Sequence, residues 1–564
     1  MLLKHSEILS GTKNLFMKKI ILLILLVGCI SIPAQVVYEP LFSDVYSFLS
    51  RLSQRGVIDF DDHIKPLPRT YIAEKLLEAA GKHNQLTELE KEEINFYRKD
   101  FFNEEIMNSD LPLSEKHMSY FSKDVAGRYR LFSYTDNLFK LNVSPIYGYE
   151  TGINKGKRVS HFWSGVSLYG YVTDAIGFSF NYRDNNETGE TIDKTKNFTP
   201  VTGVNNRTDA NVYQYRSDKS EYSEIRTMIS ANWDWGSVSV GKDFLGWGYG
   251  EGGEIVLSQK APSFPFVRLD LKPVDWLSFN YFHGWLMSDV PDSTSIYTTR
   301  VGTERFLFRE KFIASHTLTI TPITGLDVSI GESMIYSDRL EVSYLMPFMF
   351  FRLADHYLSR HYNYAGSNAQ VFASISSKNH LKNTHLYSSL IIDEIVLGTI
   401  LDKEKQRYQM GFSLGGSITD LLIDNFILTV EFAKLYPFVY DHFNQTQGYT
   451  NAAYNLGHWI GNNGDQFYVS AGYRILRGLA LHLSGQYIRK GDRGTPDVQQ
   501  FEPVQPPFLF GDRTHYTMVG AEAKYEITHE MSVRGRYNFL QTKSDIEGMD
   551  SNSQEFRLAF YYGL

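Results

Sequence analysis

The sequence predicts an all-β transmembrane protein, a closed antiparallel β-barrel of about 18 strands with a small N-terminal periplasmic helical region. From about Phe139 to Leu564, segments of roughly ten residues alternate apolar and polar side chains. Short and long polar connections alternate between these segments. The chain is also rich in aromatic residues, with 37 Tyr and 38 Phe among 564 residues, which is typical of a barrel wall with aromatic girdles.

The alternation is clear in residues 479–484, which read LALHLS. A strand with a period of two places one set of side chains on each face of a sheet. Because no helix-length crossover separates the segments, closing the sheet is the simplest way to remove exposed edges. The last segment, 556–564, is apolar and largely aromatic at every second position, although it ends in Leu564 rather than in Phe. Such a terminal strand predicts two partners, the barrel assembly machinery and outer-membrane lipid.

Residues 1–35 are predicted to be a signal peptide. Lys18 and Lys19 precede an apolar run over residues 20–27, which is too short to span a bilayer, and cleavage is expected near Ala34. Because the basic pair follows a second Met, it stays open whether residues 1–16 are an over-extended start. The only cysteine, Cys29, lies in a sequence that resembles a lipoprotein processing box, so its lipidation is the alternative to ordinary cleavage. With one cysteine, the chain forms no internal disulfide.

Residues 36–127 are predicted to be a periplasmic helical region and linker. Val45, Phe48, Leu49 and Leu52 recur at helical spacing, and a second helical pattern follows Pro68. Thr87 and Glu90 form a capping-box pattern that opens a third helix. Three short amphipathic helices before a barrel either pack against or inside its mouth or form a tethered soluble mini-domain, and the sequence leaves both possibilities open.

The connections predict the number of strands. Eight short connections alternate with nine long polar stretches, of which 152–160 is the first, and this pattern requires 18 strands with both ends on one side. In bacterial barrels that side is periplasmic and the long loops are extracellular, so we expect a Gram-negative outer-membrane protein with residues 128–564 in the barrel. At this size, side chains alone do not fill the lumen. We expect long loops such as 184–222 and 338–366 to fold inward and occlude it.

Composition excludes several classes of protein. Beyond the predicted signal peptide there is no run of about 20 apolar residues, as a helical membrane protein would need. The net charge of −8 is spread along the chain without a basic stripe, so no nucleic-acid partner is expected. Strand carboxylates such as Glu332 and Glu394 are interpreted as structural groups that face the lumen and pair with basic side chains. No metal site or cofactor is predicted, and we expect a monomer.

Several motifs in the barrel are not generic. Residues 241–250 read GKDFLGWGYG and are followed by EIVLS at 254–258, and GESMIY, LMP, YDH, LGH and GNN then occur in order at 331–336, 345–347, 440–442, 456–458 and 461–463. This series resembles the capsule-assembly Wzi family. The resemblance implies a lectin-like, non-enzymatic outer-membrane barrel that binds exported polysaccharide and helps attach or assemble a capsule at the cell surface. Gln259 and Lys260 depart from the family pattern, which puts the carbohydrate specificity in doubt.

Polysaccharide binding needs aromatic faces that stack on sugar rings and fixed polar groups that bond hydroxyls. We expect Trp247 and Tyr249 to form a stacking platform on the extracellular face, held by the surrounding glycines. His458 and Trp459 would join it if the loops fold over the mouth. The competing interpretation of each aromatic residue is an interfacial girdle. The full set of candidate polysaccharide-binding residues is Trp247, Tyr249, Glu251, Asp355, His356, Tyr440, His442, His458 and Trp459.

Two other functions compete with polysaccharide binding. A porin-like outer-membrane channel for small solutes or saccharides is the first alternative, and it requires an open lumen with opposed charges. An enzyme is the second, but the sequence has no G-x-S-x-G nucleophile motif. The sequence leaves open which polysaccharide is bound and whether the lumen conducts.

Overall fold

The structure of the protein is a computed structural model. It describes residues 36–108, 116–173, 175–204, 214–216, 218–362, 367–395, 408–495 and 505–563. The predicted signal peptide and Cys29 lie outside the described residues, as does the side chain of Glu394. Within the described residues, the main body is a closed antiparallel barrel of 18 strands that begins at Phe139. The predicted strand number and starting point are therefore confirmed. The strands are β1 (Phe139–Asn154), β2 (Lys157–Val172), β3 (Ile176–Thr188), β4 (Lys219–Trp233), β5 (Gly236–Asp243), β6 (Phe264–Val274), β7 (Leu277–Pro291), β8 (Phe308–Ile323), β9 (Leu326–Ser337), β10 (Asn368–Lys378), β11 (Thr384–Ile395), β12 (Tyr408–Thr419), β13 (Phe426–Leu435), β14 (Gly464–Leu476), β15 (Leu479–Lys490), β16 (Thr514–Thr528), β17 (Met531–Ser544) and β18 (Ser551–Tyr562).

The last strand closes the barrel on the first. β18 pairs with β1 in antiparallel register from Glu555 opposite Asn154 to Tyr562 opposite Tyr147. Short turns collect at one end of the barrel, called the short-turn end, and the longer connections at the other, called the loop end. One predicted loop is wrong: at 152–160 the strands continue to a two-residue turn, Lys155–Gly156, in which both residues have positive φ. Such a turn matches the twist of a hairpin, so the strand count does not change.

The two faces of the wall have opposite character. On β1, Lys140, Asn142 and Glu150 point inward and are buried, whereas Tyr147 and Ile153 point outward and are exposed. This alternation of polar inside and apolar outside recurs around the barrel and is the pattern of a wall in contact with lipid. No helix among the described residues is long and apolar enough to cross a membrane.

The helical region precedes the barrel, as predicted. It contains α1 (Asp44–Gln54), α2 (Arg69–Gly81), α3 (Glu88–Asp100) and a further helix, α4 (Phe102–Asn108). Phe48, Leu49 and Leu76 are part of its own buried apolar core. The capping box is confirmed, since Thr87 and Glu90 exchange side-chain and backbone hydrogen bonds at the start of α3. A hairpin of His117–Lys123 and Tyr129–Thr135 then leads into β1.

The helical region packs into the short-turn end, which decides between the two arrangements left open by the sequence. Ion pairs join it to the wall at several points around the mouth. Arg51 contacts Asp420 at 2.6 Å in the turn between β12 and β13. The buried Lys378 ammonium contacts Asp62 at 2.5 Å. Two more join Glu93 to Arg474 and Asp44 to Lys524.

Candidate functional site

The glycine-rich segment after β5 runs inside the barrel. Trp247 and Gly246 pair as a short antiparallel strand with Ile64 and Lys65 of the helical region. The Trp247 ring lies edge-on to Phe282 at 5.2 Å between centroids, and its side chain is part of a buried core of inward-facing residues. Only 3% of Trp247 is exposed. The expected external platform is therefore wrong for this residue, because its ring has better apolar partners inside the lumen.

Tyr249 lies in the same segment and is also turned inward. Its ring stacks on His63 of the helical region, with 5.1 Å between centroids. The N–H of Gly248 donates to the carbonyl of His63 at 3.0 Å, and Gly248 has a φ of +144°, which a residue with a side chain rarely adopts. The glycines thus allow close approach of backbone to backbone rather than of backbone to a ligand.

Glu251 continues the segment across the lumen to the opposite wall. Its carboxylate accepts hydrogen bonds from Ser470 at 2.7 Å and Tyr468 at 3.0 Å, and it lies 2.9 Å from the His482 imidazole. The N–H groups of Glu251 and Gly252 donate to the Glu431 carboxylate on β13. The segment is therefore tied to β13, β14 and β15 as well as to the strands that it follows.

The connection at 436–463 packs on this segment from the loop end. The Tyr440 hydroxyl donates to the carbonyl of Ile255 at 2.5 Å, and Trp459 Nε1 donates to the carbonyl of Gly252 at 2.8 Å. His458 is fully buried, and a Cβ built on Gly253 would lie 2.5 Å from its Nε2. The connections that carry Trp247 and Trp459, whose meeting the sequence left conditional on loop folding, therefore lie together inside the barrel. We call residues 244–263 and 436–463 together the plug.

Burial dominates the electrostatics of the plug. It raises the pKa of the Glu254 carboxyl to about 7, although the nearby Lys65 opposes the shift. It lowers the pKa of His458 to about 4, so this imidazole is neutral at physiological pH. At the docked helical region, burial raises the pKa of Asp62, but the Lys378 ammonium outweighs it and holds that pKa well below its usual range.

Three other candidates meet at the outer edge of the plug, where α-helical residues of the connection after β9 approach residues 441–443. Asp355, His356 and His442 line an open cleft of about 270 Å³ at the loop end, called the rim cleft. Phe443 adds an exposed ring, and burial lowers the pKa of His442 to about 4. The cleft is also lined by residues that were not among the candidate polysaccharide-binding residues: Arg352, Asp393, Asp441 and Phe443. For Asp441 and Phe443, the only indication in the sequence was that they flank the candidate residue His442.

A further polar surface remains on the inner wall away from the plug. Glu150 on β1 is surrounded by Arg534 at 3.3 Å, Arg536 at 3.1 Å and Arg557 at 2.9 Å. Among the described residues, no three His, Cys, Asp or Glu side chains are grouped as a metal site requires.

The fold and the plug define a class of protein. An 18-stranded closed wall with an apolar outer face and a polar inner face is an outer-membrane type of β-barrel, and here its own loops and a helical region fill much of it. Residues 408–555 match the family model of the capsule assembly protein Wzi. The resemblance to the Wzi family is therefore confirmed over this range. The motifs at 241–258, 331–336 and 345–347 lie outside the matched range.

Several solved structures are similar to this one, and the first of them shows the same fold. Wzi from Escherichia coli, an outer-membrane protein involved in group 1 capsule assembly and a carbohydrate-binding β-barrel, is similar with a TM-score of 0.54 and 13% identity over 94% of this chain and 100% of that one. Pseudomonas aeruginosa OccK7 gives a TM-score of 0.41 and 9% identity over 76% of this chain and 98% of that one. P. aeruginosa OccD3 gives a TM-score of 0.40 and 11% identity over 74% of this chain and 90% of that one. No curated protein matches the chain by sequence.

Proposed function

We propose that this chain is a non-enzymatic outer-membrane barrel that binds exported polysaccharide and helps attach or assemble a capsule at the cell surface. One observation carries the proposal. The range matched by the Wzi model, 408–555, contains the whole connection 436–463, which forms both the outer half of the plug and a side of the rim cleft. The short-turn end would face the periplasm and the loop end the exterior. The protein would be a monomer, and the barrel assembly machinery would recognise its last strand.

The rim cleft is the best candidate for the contact with sugar. Phe443 offers a ring face for stacking, Asp355 a carboxylate that accepts from hydroxyls, and His356 an imidazole. Asp393 and Asp441 add negative charge, whereas Arg352 is the one arginine that lines the described cleft. This balance favours a neutral, hydroxyl-rich polymer over a polyuronate, because like charges repel.

The plug favours surface binding over transport. Trp247, Tyr440 and Trp459 are in one buried cluster with inward-facing wall residues, so this side of the lumen is filled by packed side chains. The porin-like channel remains the second candidate because of one observation. The Glu150 cluster with Arg534, Arg536 and Arg557 gives the remaining inner wall the opposed charges that a channel for small solutes requires.

Two measurements test the proposal. The first is retention of exported polysaccharide by cells that carry Asp355→Asn with His356→Ala, beside the control Asp512→Asn in an exposed loop at the same end. The double variant deletes the His356 hydrogen bond and weakens that of Asp355 by removing its charge, so retention should fall by roughly tenfold, since a hydrogen bond contributes about 0.5–1.5 kcal/mol. The second is conductance in planar bilayers, which should be small. Unchanged retention in a folded double variant, together with large steady conductance, would favour the channel.

A further inference from the structure

One long connection does not fold inward. Residues 338–362 follow β9 and include the helix α5 (Phe351–Tyr362). Their apolar side chains pack with Tyr281, Phe312, Ala314, Met334 and Tyr336 in a buried cluster. These wall residues alternate along β7, β8 and β9 with Phe282, Ile313 and Ile335, which belong to the core around Trp247 inside the lumen. Because successive residues of a strand point to opposite faces, α5 lies on the outer surface of the barrel.

The prediction that 338–366 would occlude the lumen is therefore wrong, as is the prediction that Glu332 faces it. Glu332 points outward and accepts a hydrogen bond from the N–H of Phe351 at 2.5 Å, at the first residue of α5. Its other oxygen accepts from the N–H of Arg352 at 3.4 Å, and His316 lies 3.3 Å from the carboxylate. A carboxylate at a helix N-terminus satisfies unpaired N–H groups and complements the helix dipole. The helix thus covers Glu332 and His316, which form a polar pair on the outer wall.

The helix is apolar on two adjoining sides. Phe351, Ala354 and Leu358 are buried against the wall. Leu353 and Tyr357, one turn apart, are exposed, with 66% of Leu353 accessible. At about 100° per residue these five positions form one continuous arc, which is apolar except for His361 in the last turn and of which only half faces the protein. Arg352, Asp355, His356 and Arg360 occupy the remaining arc on the side of the rim cleft.

The exposed half of this arc continues the apolar belt of the barrel. Phe348, which is 72% exposed, stacks on outward-facing Phe279 with 4.7 Å between centroids. Phe279 pairs with Leu318, and Leu318 with Ile330, both of which are exposed on the outer wall. An apolar patch of this kind on a soluble surface marks an interaction site, and here it borders directly on the surface that faces lipid.

We propose that residues 338–362 form an interfacial anchor, in which α5 lies in the outer leaflet with Phe348, Leu353 and Tyr357 among acyl chains. Its polar arc faces the headgroups, where Arg352 and Arg360 suit anionic lipid. The rim cleft, which α5 helps to line, is thereby held at the level of the membrane surface. This inference rests on the membrane location of the barrel and not on its polysaccharide ligand.

Nitroxide labels measure the depth of the helix directly. Leu353→Cys and, independently, Tyr357→Cys are labelled in a Cys29→Ser chain and reconstituted into vesicles of phosphatidylcholine and phosphatidylglycerol. Collision rates are measured with molecular oxygen, which concentrates in lipid, and with a water-soluble nickel chelate. Ile330→Cys on the outer wall is the lipid control, and Val301→Cys in the exposed hairpin connection between β7 and β8 is the water control. Heat-modifiable migration shows that each variant is folded.

We expect the Leu353 and Tyr357 labels to match the Ile330 label, with oxygen collisions several-fold more frequent than nickel collisions, and the Val301 label to show the reverse. Nickel access at 353 and 357 equal to that at 301 would overturn the anchor. Shielding from both reagents with spin–spin broadening would overturn it in favour of a second copy of the chain. Nickel access at 330 would refute the membrane location of the barrel itself. The Ile330 label therefore distinguishes failure of the membrane location from failure of the anchor alone.

Discussion

Glu332 and Phe351 meet on the outer face of the barrel wall, where the Phe351 N–H donates to the Glu332 carboxylate at 2.5 Å. This bond fixes the start of α5 on a largely apolar part of the outer wall. Glu332→Gln keeps the size of the side chain but removes its charge. We expect a loss of about 1 kcal/mol in the docking of α5, by analogy with helix caps and charge–dipole contacts. A nitroxide at position 353 should become more mobile.

Glu310→Gln, on the neighbouring strand β8 and exposed, is the matched control and should leave the label unchanged. Equal mobility in both variants would show that apolar packing alone holds the helix.

Trp247→Ala should open the plug without unfolding the barrel. The ring packs with Phe282 and Phe372, and truncation of a large buried side chain costs about 3–5 kcal/mol. Because that loss falls on the segment 244–263 rather than on the wall, we expect larger and noisier conductance in planar bilayers. Trp276→Ala, at an exposed turn of the short-turn end, is the control for removing an indole. Wild-type conductance in a folded Trp247→Ala variant would contradict this role.

Phe443→Ala should weaken polysaccharide retention. An aromatic contact is worth about 0.5–1.5 kcal/mol, which corresponds to a change of roughly two- to tenfold in Kd. The side chain is exposed at the rim cleft, so folding should not change. Tyr297→Ala removes another exposed ring, from the hairpin connection between β7 and β8, and serves as the control. Equal retention by both variants would exclude Phe443 from the contact.

Glu254 should make the stability of the plug depend on pH. Its folded pKa is raised to about 7 by burial, above the ordinary value of 4.5. Between these two values the folded state holds a proton that the unfolded state has released, so stability falls as pH rises through this window and levels off above about 7. Glu254→Gln carries no such charge and should gain stability relative to wild type at pH 8 but not at pH 4. Thermal unfolding of Glu254→Gln and of wild type is measured at pH 4 and at pH 8. A difference in stability between the two proteins that is the same at both pH values would refute the assignment.

Lys378→Met should loosen the helical region from the short-turn end. Asp62 would keep a buried charge without its partner, and such a loss costs about 3–5 kcal/mol. Adding Asp62→Leu should recover much of that loss, because two apolar groups can replace a buried ion pair at little cost. Limited proteolysis of residues 36–108 reports the docking. Equal protection in all three chains would mean that the remaining ion pairs around the mouth suffice.

The sequence by itself determined the wall. Alternation with a period of two, the order of short and long connections and the Thr87–Glu90 capping box are local signals, so they predicted the strands, their number and a helix start correctly. The same periodicity also held a signal that was missed. Glu332 alternates in phase with Ile330 and Met334, which are apolar, and this phase places it on the outer face.

Only the tertiary structure decided where the connections go. Trp247, Tyr440 and Trp459 are aromatic residues in long connections between strands, and glycines lie near the two tryptophans, a composition that fits a sugar platform and a buried plug equally well. Their burial depends on partners such as Ile64, Ile255 and Phe282, which lie far apart in the chain and meet only when the wall closes. Likewise, α5 lies outside rather than inside because Tyr281, Phe312 and Tyr336 form an apolar surface on three adjacent strands, and pairing between distant strands creates that surface.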